Sequence, residues 1–402
     1  MKINKKFFLE ELGLQDTKVL PIDNEVITNI KLGKKFAYCL NKKVAKTQEI
    51  LKTHNKLSQL FLKKIEINKS ATAFIKGKSY LDFLEPHRNN FHFIRIDLKN
   101  FFHSINESLL YEAFKGYFTE EYLGIRPTNQ KLIDAFINLV TYIVPSDSID
   151  VACRNKVILP MGFKLSPIIS NIVFRMYDIL IEDYCYKNDI TYTRYADDMI
   201  FSMKPSQRYI EQKKEKNNIT SMLFKPINSD DIYKNSTFKN SCYIHTDKFL
   251  DEIQNILSIN NKGKFLINTK KTVMSNHTIS LNGYVIEDND NPLSVGTIRL
   301  SNKKTLIISK VIHALKNNLS SEYIMTKILK ISLDEKRIPY FPASKKFSNQ
   351  YYKDQLKHTL LGYRSYLFSF IVYNKKTNCI EQKYINKYIL LINEIEKNLH
   401  KV

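Results

Sequence analysis

Apolar and polar residues alternate along residues 91–98, FHFIRIDL, with Ile94, Ile96 and Leu98 on one side and Phe93, Arg95 and Asp97 on the other. That period of two predicts a half-buried strand with Asp97 on its polar face. Residues 191–203, TYTRYADDMIFSM, read as two short strands joined at Ala196-Asp197-Asp198, so two carboxylates fall at a hairpin tip. Between these segments, Leu165-Ser166-Pro167 opens the apolar run IISNIVFRMYDILI. Ser166 suits an N-cap and Pro167 the first turn of a helix packed beneath the sheet. Residues 36–67 are mostly helical in pattern, with Leu51, Leu57, Leu60, Phe61 and Ile65 as the buried stripe. From Ser301 onward, Leu306, Ile307, Val311, Ile312 and Leu315 interleave with Lys303, Lys304, Lys310 and Lys316, an amphipathic basic helix. Residues 205–247 are polar, rich in Lys and Asn and aperiodic, which predicts an inserted or extended loop region.

Composition adds a partner class. In 402 residues, 62 Lys and Arg against 40 Asp and Glu give a formal charge of +22, which favours a polyanionic partner such as nucleic acid. A well-solvated surface and a Lys/Asn-rich codon bias would account for the same count. Cys39, Cys153, Cys185, Cys242 and Cys379 form no CxxC pair and no zinc-type spacing with the nine histidines, so reduced cytosolic thiols are expected. Glu10 and Glu11 interrupt the N-terminal apolar stretch, and no apolar run approaches the roughly 18 residues of a membrane span. A soluble, cytoplasmic protein without a membrane partner is expected.

Carboxylates on separate segments that converge are what phosphoryl transfer to a 3′ hydroxyl requires. Two divalent ions about 4 Å apart activate the attacking oxygen and neutralise the leaving pyrophosphate. Mg2+ takes one or two protein carboxylates and completes its shell with phosphates and water. Asp97 and Asp197 suffice for that, with Asp198 alongside. Each aspartate alone could equally be a solvated strand end, and the adjacent pair simple turn chemistry.

The ordered set changes this. Tyr195-Ala196-Asp197-Asp198 resembles the YADD box of reverse transcriptases, and Asp97-Leu98-Lys99-Asn100-Phe101-Phe102 resembles the family's first catalytic motif, an aspartate followed by an aromatic five residues on. Residues 159–167, LPMGFKLSP, with Asn171 after them, are similar to the loop and helix that hold template and nucleotide. Asn268-Thr269-Lys270-Lys271-Thr272 resembles the motif whose lysine approaches the triphosphate, and Leu281-Asn282-Gly283-Tyr284 the primer-grip hairpin. Ala73-Phe74 through Gly77, Lys78 and Ser79 to His87 resembles the approach to the first motif in bacterial members, and Gly296 to Leu315 with Leu361-Gly362-Tyr363 the thumb.

The resemblance implies an α+β right-hand polymerase fold. Fingers would occupy residues 1–90, a palm with an antiparallel sheet 91–290, and a helical thumb with its extension 291–402. It implies an RNA-directed DNA polymerase that uses two Mg2+ ions, or Mn2+, held by Asp97, Asp197 and Asp198. Lys271 would serve the pyrophosphate, and Phe102, Met161, Gly162, Ser166 and Tyr195 the nucleotide or template. Asn282, Gly283, Lys303, Lys304 and Lys310 would grip the primer–template. Implied partners are deoxynucleotides, a DNA product and an RNA template, a dedicated noncoding RNA in anti-phage defence; an oligomer is compatible.

Several positions depart from the family or have a plainer reading. Met161 stands where a glutamine is common, and no residue matches the triphosphate-binding arginine, with Lys34, Lys35, Lys42, Lys43 and Lys46 in that region. Lys271 is equally a solvated lysine, Phe102 a core aromatic and Gly162 a turn former. Phe83-Leu84 ahead of His87, and Leu281-Asn282-Gly283, differ from the retron patterns and favour the abortive-infection or defence-associated groups, with a retron enzyme making RNA-linked single-stranded DNA as the alternative. An RNA-dependent RNA polymerase would place a second aspartate at Phe102, and a catalytically silent nucleic-acid-binding module has no need of three converging acids.

Overall fold

The computed structural model describes residues 2–33, 35–125, 127, 129–205, 242–259, 263–288, 296–333 and 344–401. They belong to two compact units. The first takes the described residues of Met1–Phe83, Ile94–Met203 and Pro226–Met274, the second those of Leu84–Phe93, Lys204–Lys225 and Ser275–Val402. Of the loop region expected at 205–247, residues 206–241 lie outside the described residues.

In the first unit, β1 (Ile27–Leu32) and β2 (Lys35–Leu40) form an antiparallel hairpin, and α1 follows at Ala45–Leu60. The helix expected across 36–67 is therefore corrected. Residues 36–40 pair with 27–31 and send Tyr38 into a small core with Tyr142, Val144, Cys153, Ile158 and Phe163. Tertiary pairing outweighs local periodicity there. On α1 the buried residues are Thr47, Thr53, His54, Leu57 and Ser58; of the expected stripe, Leu57, Phe61 and Ile65 are buried, while Leu51 and Leu60 are only half-buried.

Strand β3 (His92–Asp97) neighbours β5 (Asp198–Met203), which pairs with β4 (Thr191–Tyr195) from Thr191↔Ser202 to Tyr195↔Asp198. β3 was expected to be half-buried, yet Phe93, Ile94 and Ile96 are all fully buried. After the helices α2 (Tyr80–Leu84), α3 (Glu107–Phe114) and α4 (Leu132–Val140), α5 (Ser166–Lys187) packs against β4 and turns Ile169, Val173, Phe174, Tyr177 and Ile181 into the main core.

Ser166 is not the N-cap of α5. It is the first helical residue, after Leu165, and its buried Oγ donates to the Pro160 carbonyl at 2.6 Å. Residues 160–165 fold back as turns, with Ser166 N donating to Phe163 O, so the hydroxyl has a loop carbonyl in reach. Pro167 does sit in the first turn.

A fully buried ion pair joins this helix to the hairpin. Arg194 donates to Asp178 from Nε (2.9 Å) and Nη2 (2.7 Å), and from Nη1 to Asn171 Oδ1 and Ala196 O, both at 3.1 Å. Tyr192 OH donates to Asp178 Oδ1 at 2.8 Å. Protein donors reach both Asp178 oxygens and all three guanidinium nitrogens find acceptors, the condition under which a buried charge is tolerated.

In the second unit, β6 (Thr278–Leu281), β7 (Tyr284–Glu287) and β8 (Thr297–Leu300) form an antiparallel sheet in that order. Asn282 and Gly283, both at positive φ (49° and 85°), make the two-residue turn that joins β6 to β7, a geometry favoured by Asn-Gly. The expected basic helix is α6 (Asn302–Lys316), and Ser301 is its N-cap, accepting from Lys304 N. Its buried face is Thr305, Ile308, Val311, Ile312, Ala314 and Leu315, whereas Leu306 is exposed. Two long helices, α7 (Lys345–Thr377) and α8 (Gln382–Asn398), pack on each other. Among the described residues no helix is long and apolar enough to cross a membrane.

Candidate active site

Asp97 closes β3, and Ala196-Asp197 form the two-residue turn between β4 and β5, with Ala196 in the left-handed region at φ 56°. Arg194 Nη1 fixes the Ala196 carbonyl from below. A backbone hydrogen bond from Leu98 N to Asp197 O, 3.0 Å, laces the end of β3 to the hairpin tip. The two segments that carry the carboxylates are thereby adjacent.

A third segment closes on Asp97. Asn268 N donates to Asp97 O at 2.8 Å, Asn268 Nδ2 to Asp97 Oδ1 at 2.9 Å, and Lys271 Nζ lies 3.0 Å from Asp97 Oδ2. Both carboxylate oxygens are engaged by donors, and Asp97 is only 4% exposed. Lys271, expected at a pyrophosphate, is thus the ion partner of Asp97 here.

Asp198 points elsewhere. Arg95, two residues before Asp97 on the same strand face, donates to Asp198 Oδ1 from Nε at 3.0 Å and from Nη2 at 2.6 Å. Burial alone would lower the Arg95 pKa, but the hydrogen bonds and charge of Asp198 outweigh it and raise the pKa above the usual guanidinium value. Among the described residues, the one set of three ligand-type groups with atoms within 4.8 Å of one another is His103, Asp150 and Cys153, not the aspartates. The chemistry of Asp97 and Asp197 nonetheless suits a hard divalent cation: they offer carboxylate oxygens on adjoining segments, and those of Asp97 are oriented by Lys271 and Asn268.

Beside Asp197 opens a cavity of about 220 Å³ lined also by Phe36, Phe102, His103 and Met161. Phe101 is core, at 2% exposed, whereas Phe102 is half-buried and fronts the cavity, its ring 5.4 Å from that of Phe101 and 6.4 Å from that of Phe74. Tyr195 is wedged among the rings of Tyr80 (4.8 Å), Phe83 (5.8 Å) and Phe74 (6.4 Å). Met161 O accepts from Tyr38 N at 2.8 Å. Gly162, at φ 126°, has a close neighbour of its own: a Cβ there would lie 2.7 Å from Tyr38 O. The near approach that requires glycine is to β2.

In the second unit, Lys303 and Lys310 are exposed on α6, but Lys304 is not part of one set with them. Its Nζ lies 5.2 Å from the Tyr284 ring centre and 5.0 Å from that of Tyr366, and donates to Tyr366 OH at 3.2 Å. Burial lowers its pKa. Gly283 O accepts from Ser301 N at 2.9 Å, tying the Asn282-Gly283 turn to the start of α6.

Sequence reasoning left Arg95, Asn268, Asp178 and Arg194 without roles. For Arg95 a signal existed, because strand alternation already set it on the face of Asp97; Arg194 and Asp178 lie on different elements and carried none.

Comparison with known proteins identifies the family. The family model described as reverse transcriptase (RNA-dependent DNA polymerase) matches residues 42–286. The Retron Ec83 reverse transcriptase of Escherichia coli is 33% identical over 156 residues, 38% of this chain and 42% of that protein. The Retron Ec73 reverse transcriptase of the same organism is 34% identical over 159 residues, 37% and 45% of the two chains. For the Retron Ec86 reverse transcriptase the figures are 25% over 181 residues, 45% and 47%. These matches span less than half the length of each relative. A solved structure of telomerase from Candida albicans with a fragment of telomeric RNA aligns over 96% of this chain and 62% of its own, at 12% identity and a TM-score of 0.38. Since the family match runs through Asp97, the 195–198 hairpin and the Asn268–Lys271 segment that closes on them, the chain belongs to the reverse transcriptase (RNA-dependent DNA polymerase) family.

Proposed function

We propose that this chain is an RNA-directed DNA polymerase, adding deoxynucleotides to a 3′ end. The observation that carries the reading is the junction of Asp97 with the Asp197 turn through Leu98 N, beside a cavity fronted by Phe102. Asp97 and Asp197 would hold two Mg2+ ions, with Mn2+ able to replace them, and such ions supply the activated nucleophile and the neutralised leaving group. Asp198 would complete the set on release from Arg95. Lys271 pairs with Asp97 before substrate enters and would turn to a triphosphate, where its positive charge offsets the charge that develops.

Phe102 would press on the sugar. Met161, Gly162 and Ser166 shape the loop over the template and nucleotide, and Tyr195 braces the hairpin. In the second unit, the Asn282-Gly283 turn would meet the primer, and Lys303 and Lys310 the phosphates, while Lys304 positions the turn through Tyr284 and Tyr366. Fingers at 1–90, palm at 91–290 and thumb at 291–402 are the corresponding division.

The template would be RNA, a dedicated noncoding RNA in anti-phage defence, in a cytoplasm that keeps the cysteines reduced. The similarity to Ec83, Ec73 and Ec86 supports the retron alternative, RNA-linked single-stranded DNA, over the other defence-associated groups. Primer extension on an RNA template with deoxynucleotides and Mg2+, beside sequencing of copurified nucleic acid, tests this. Incorporation that survives Asp97→Asn, or ribonucleotides used in preference to deoxynucleotides, would overturn it.

A further inference from the structure

Asp150 caps and Cys153 ends a single 3-10 turn, Val151–Cys153, and Cys153 N donates to Asp150 O at 3.1 Å. This spacing puts both side chains on one side of the turn. Opposite them stands His103, immediately after Phe102, with Nδ1 3.6 Å from Cys153 Sγ. All three ligand atoms lie within 4.8 Å of one another.

We propose that His103, Asp150 and Cys153 form a binding site for one zinc-class divalent cation, separate from the aspartates. Zinc bonds of about 2.3 Å to sulfur and about 2.0–2.1 Å to nitrogen, at a tetrahedral angle, set the two ligand atoms about 3.6 Å apart. The observed His103–Cys153 separation has that value. One nitrogen, one sulfur and one carboxylate oxygen are a borderline-soft set that excludes Mg2+ on ligand chemistry, and a water would fill the fourth position.

The surroundings are those of a built site. Tyr38 OH donates to Asp150 Oδ2 at 2.9 Å, the kind of outer hydrogen bond that orients a ligating carboxylate. Asp150 is 9% and Cys153 6% exposed, and His103 half-buried. Access exists on two sides, because both the cavity of about 220 Å³ and a neighbouring one of about 490 Å³ are lined by His103 and Cys153. On binding, the thiol proton leaves to solvent and the sulfur–metal bond takes its place. The cation would tie the turn after β3 to residues 150–153 and, through Tyr38, to β2, along the wall that carries Phe102.

The test is metal titration of the full chain, stripped with chelator, in the presence of excess Mg2+. Cd2+ or Co2+ should give a thiolate charge-transfer band that saturates at one equivalent and is displaced by Zn2+. Cys153→Ser should abolish the band, and Tyr38→Phe should weaken binding by about 10–100-fold. Zn2+ should raise the melting temperature of the wild type but not that of His103→Gln, a half-exposed position that keeps the test sound if Cys153→Ser folds poorly. A band that persists in Cys153→Ser, displacement by Mg2+, or no band in the folded wild type would each overturn the site.

Discussion

Phe102→Ala separates a sugar-selecting ring from a core ring. Phe101, next to it, is 2% exposed, and truncating a side chain so enclosed costs about 3–5 kcal/mol. Among the described residues Phe102 makes two ring contacts, to Phe101 at 5.4 Å and to Phe74 at 6.4 Å, and Phe74 is itself 49% exposed. At about 0.5–1.5 kcal/mol for each aromatic pair beyond the area it buries, these contacts are worth about 1–3 kcal/mol, to which the ring's partial burial adds, with no sealed void because the ring fronts an open cavity. What the cavity gains is room for a 2′ hydroxyl. A steric rejection of that group discriminates without tightening the correct substrate, and each tenfold in selectivity corresponds to about 1.4 kcal/mol of barrier. Single-nucleotide addition with matched deoxy and ribo substrates should show the ribo-to-deoxy ratio rising tenfold or more, while deoxynucleotide addition falls much less. Thermal melts of Phe102→Ala and Phe101→Ala, run side by side, should show the second clearly less stable. A Phe102→Ala protein as destabilised as Phe101→Ala, with its sugar preference unchanged, would refute the gate and favour the RNA-polymerase reading.

Asp97→Asn and Asp197→Ala should each abolish nucleotide incorporation while circular dichroism and RNA binding stay near wild type, since the basic surface remains. Arg194→Met should cost about 3–5 kcal/mol in denaturant unfolding, because Asp178 is left buried and charged without its partner; a double Arg194→Met, Asp178→Leu variant should recover much of that loss. Burial holds the His87 imidazole neutral, its pKa pushed down to about 3. The unfolded chain, with an ordinary His pKa near 6.5, binds the proton that the folded chain refuses. This residue therefore lowers stability as pH falls from about 6.5 toward 3, by up to about 1.4 kcal/mol per pH unit, and His87→Phe should flatten that slope in urea melts taken at several pH values. Charge reversal at Lys303 and Lys310 should weaken nucleic-acid binding and reduce its salt slope, measured by fluorescence anisotropy, whereas Lys304→Met should act first on the packing of Tyr284 and Tyr366.

Local pattern determined a good part of this protein. The period-two run ending at Asp97, the YADD hairpin, the Ser301-capped helix and the Asn282-Gly283 turn all follow from residues close in the chain, since alternation, caps and left-handed turn residues act over a few positions. The same locality made 36–40 look helical, although a partner strand 27–32 makes it β, and made Ser166 look like a cap, although the Pro160 carbonyl takes its hydroxyl. What surrounds the carboxylates is a matter of distant pairs. Lys271 is 174 residues from Asp97, Arg95 is 103 from Asp198, and Tyr38 is 112 from Asp150. No periodicity encodes such partners. They are selected when buried charges and hydroxyls, removed from water, must find a counter-charge or a hydrogen bond inside the fold, and only the packed structure decides which one is in reach.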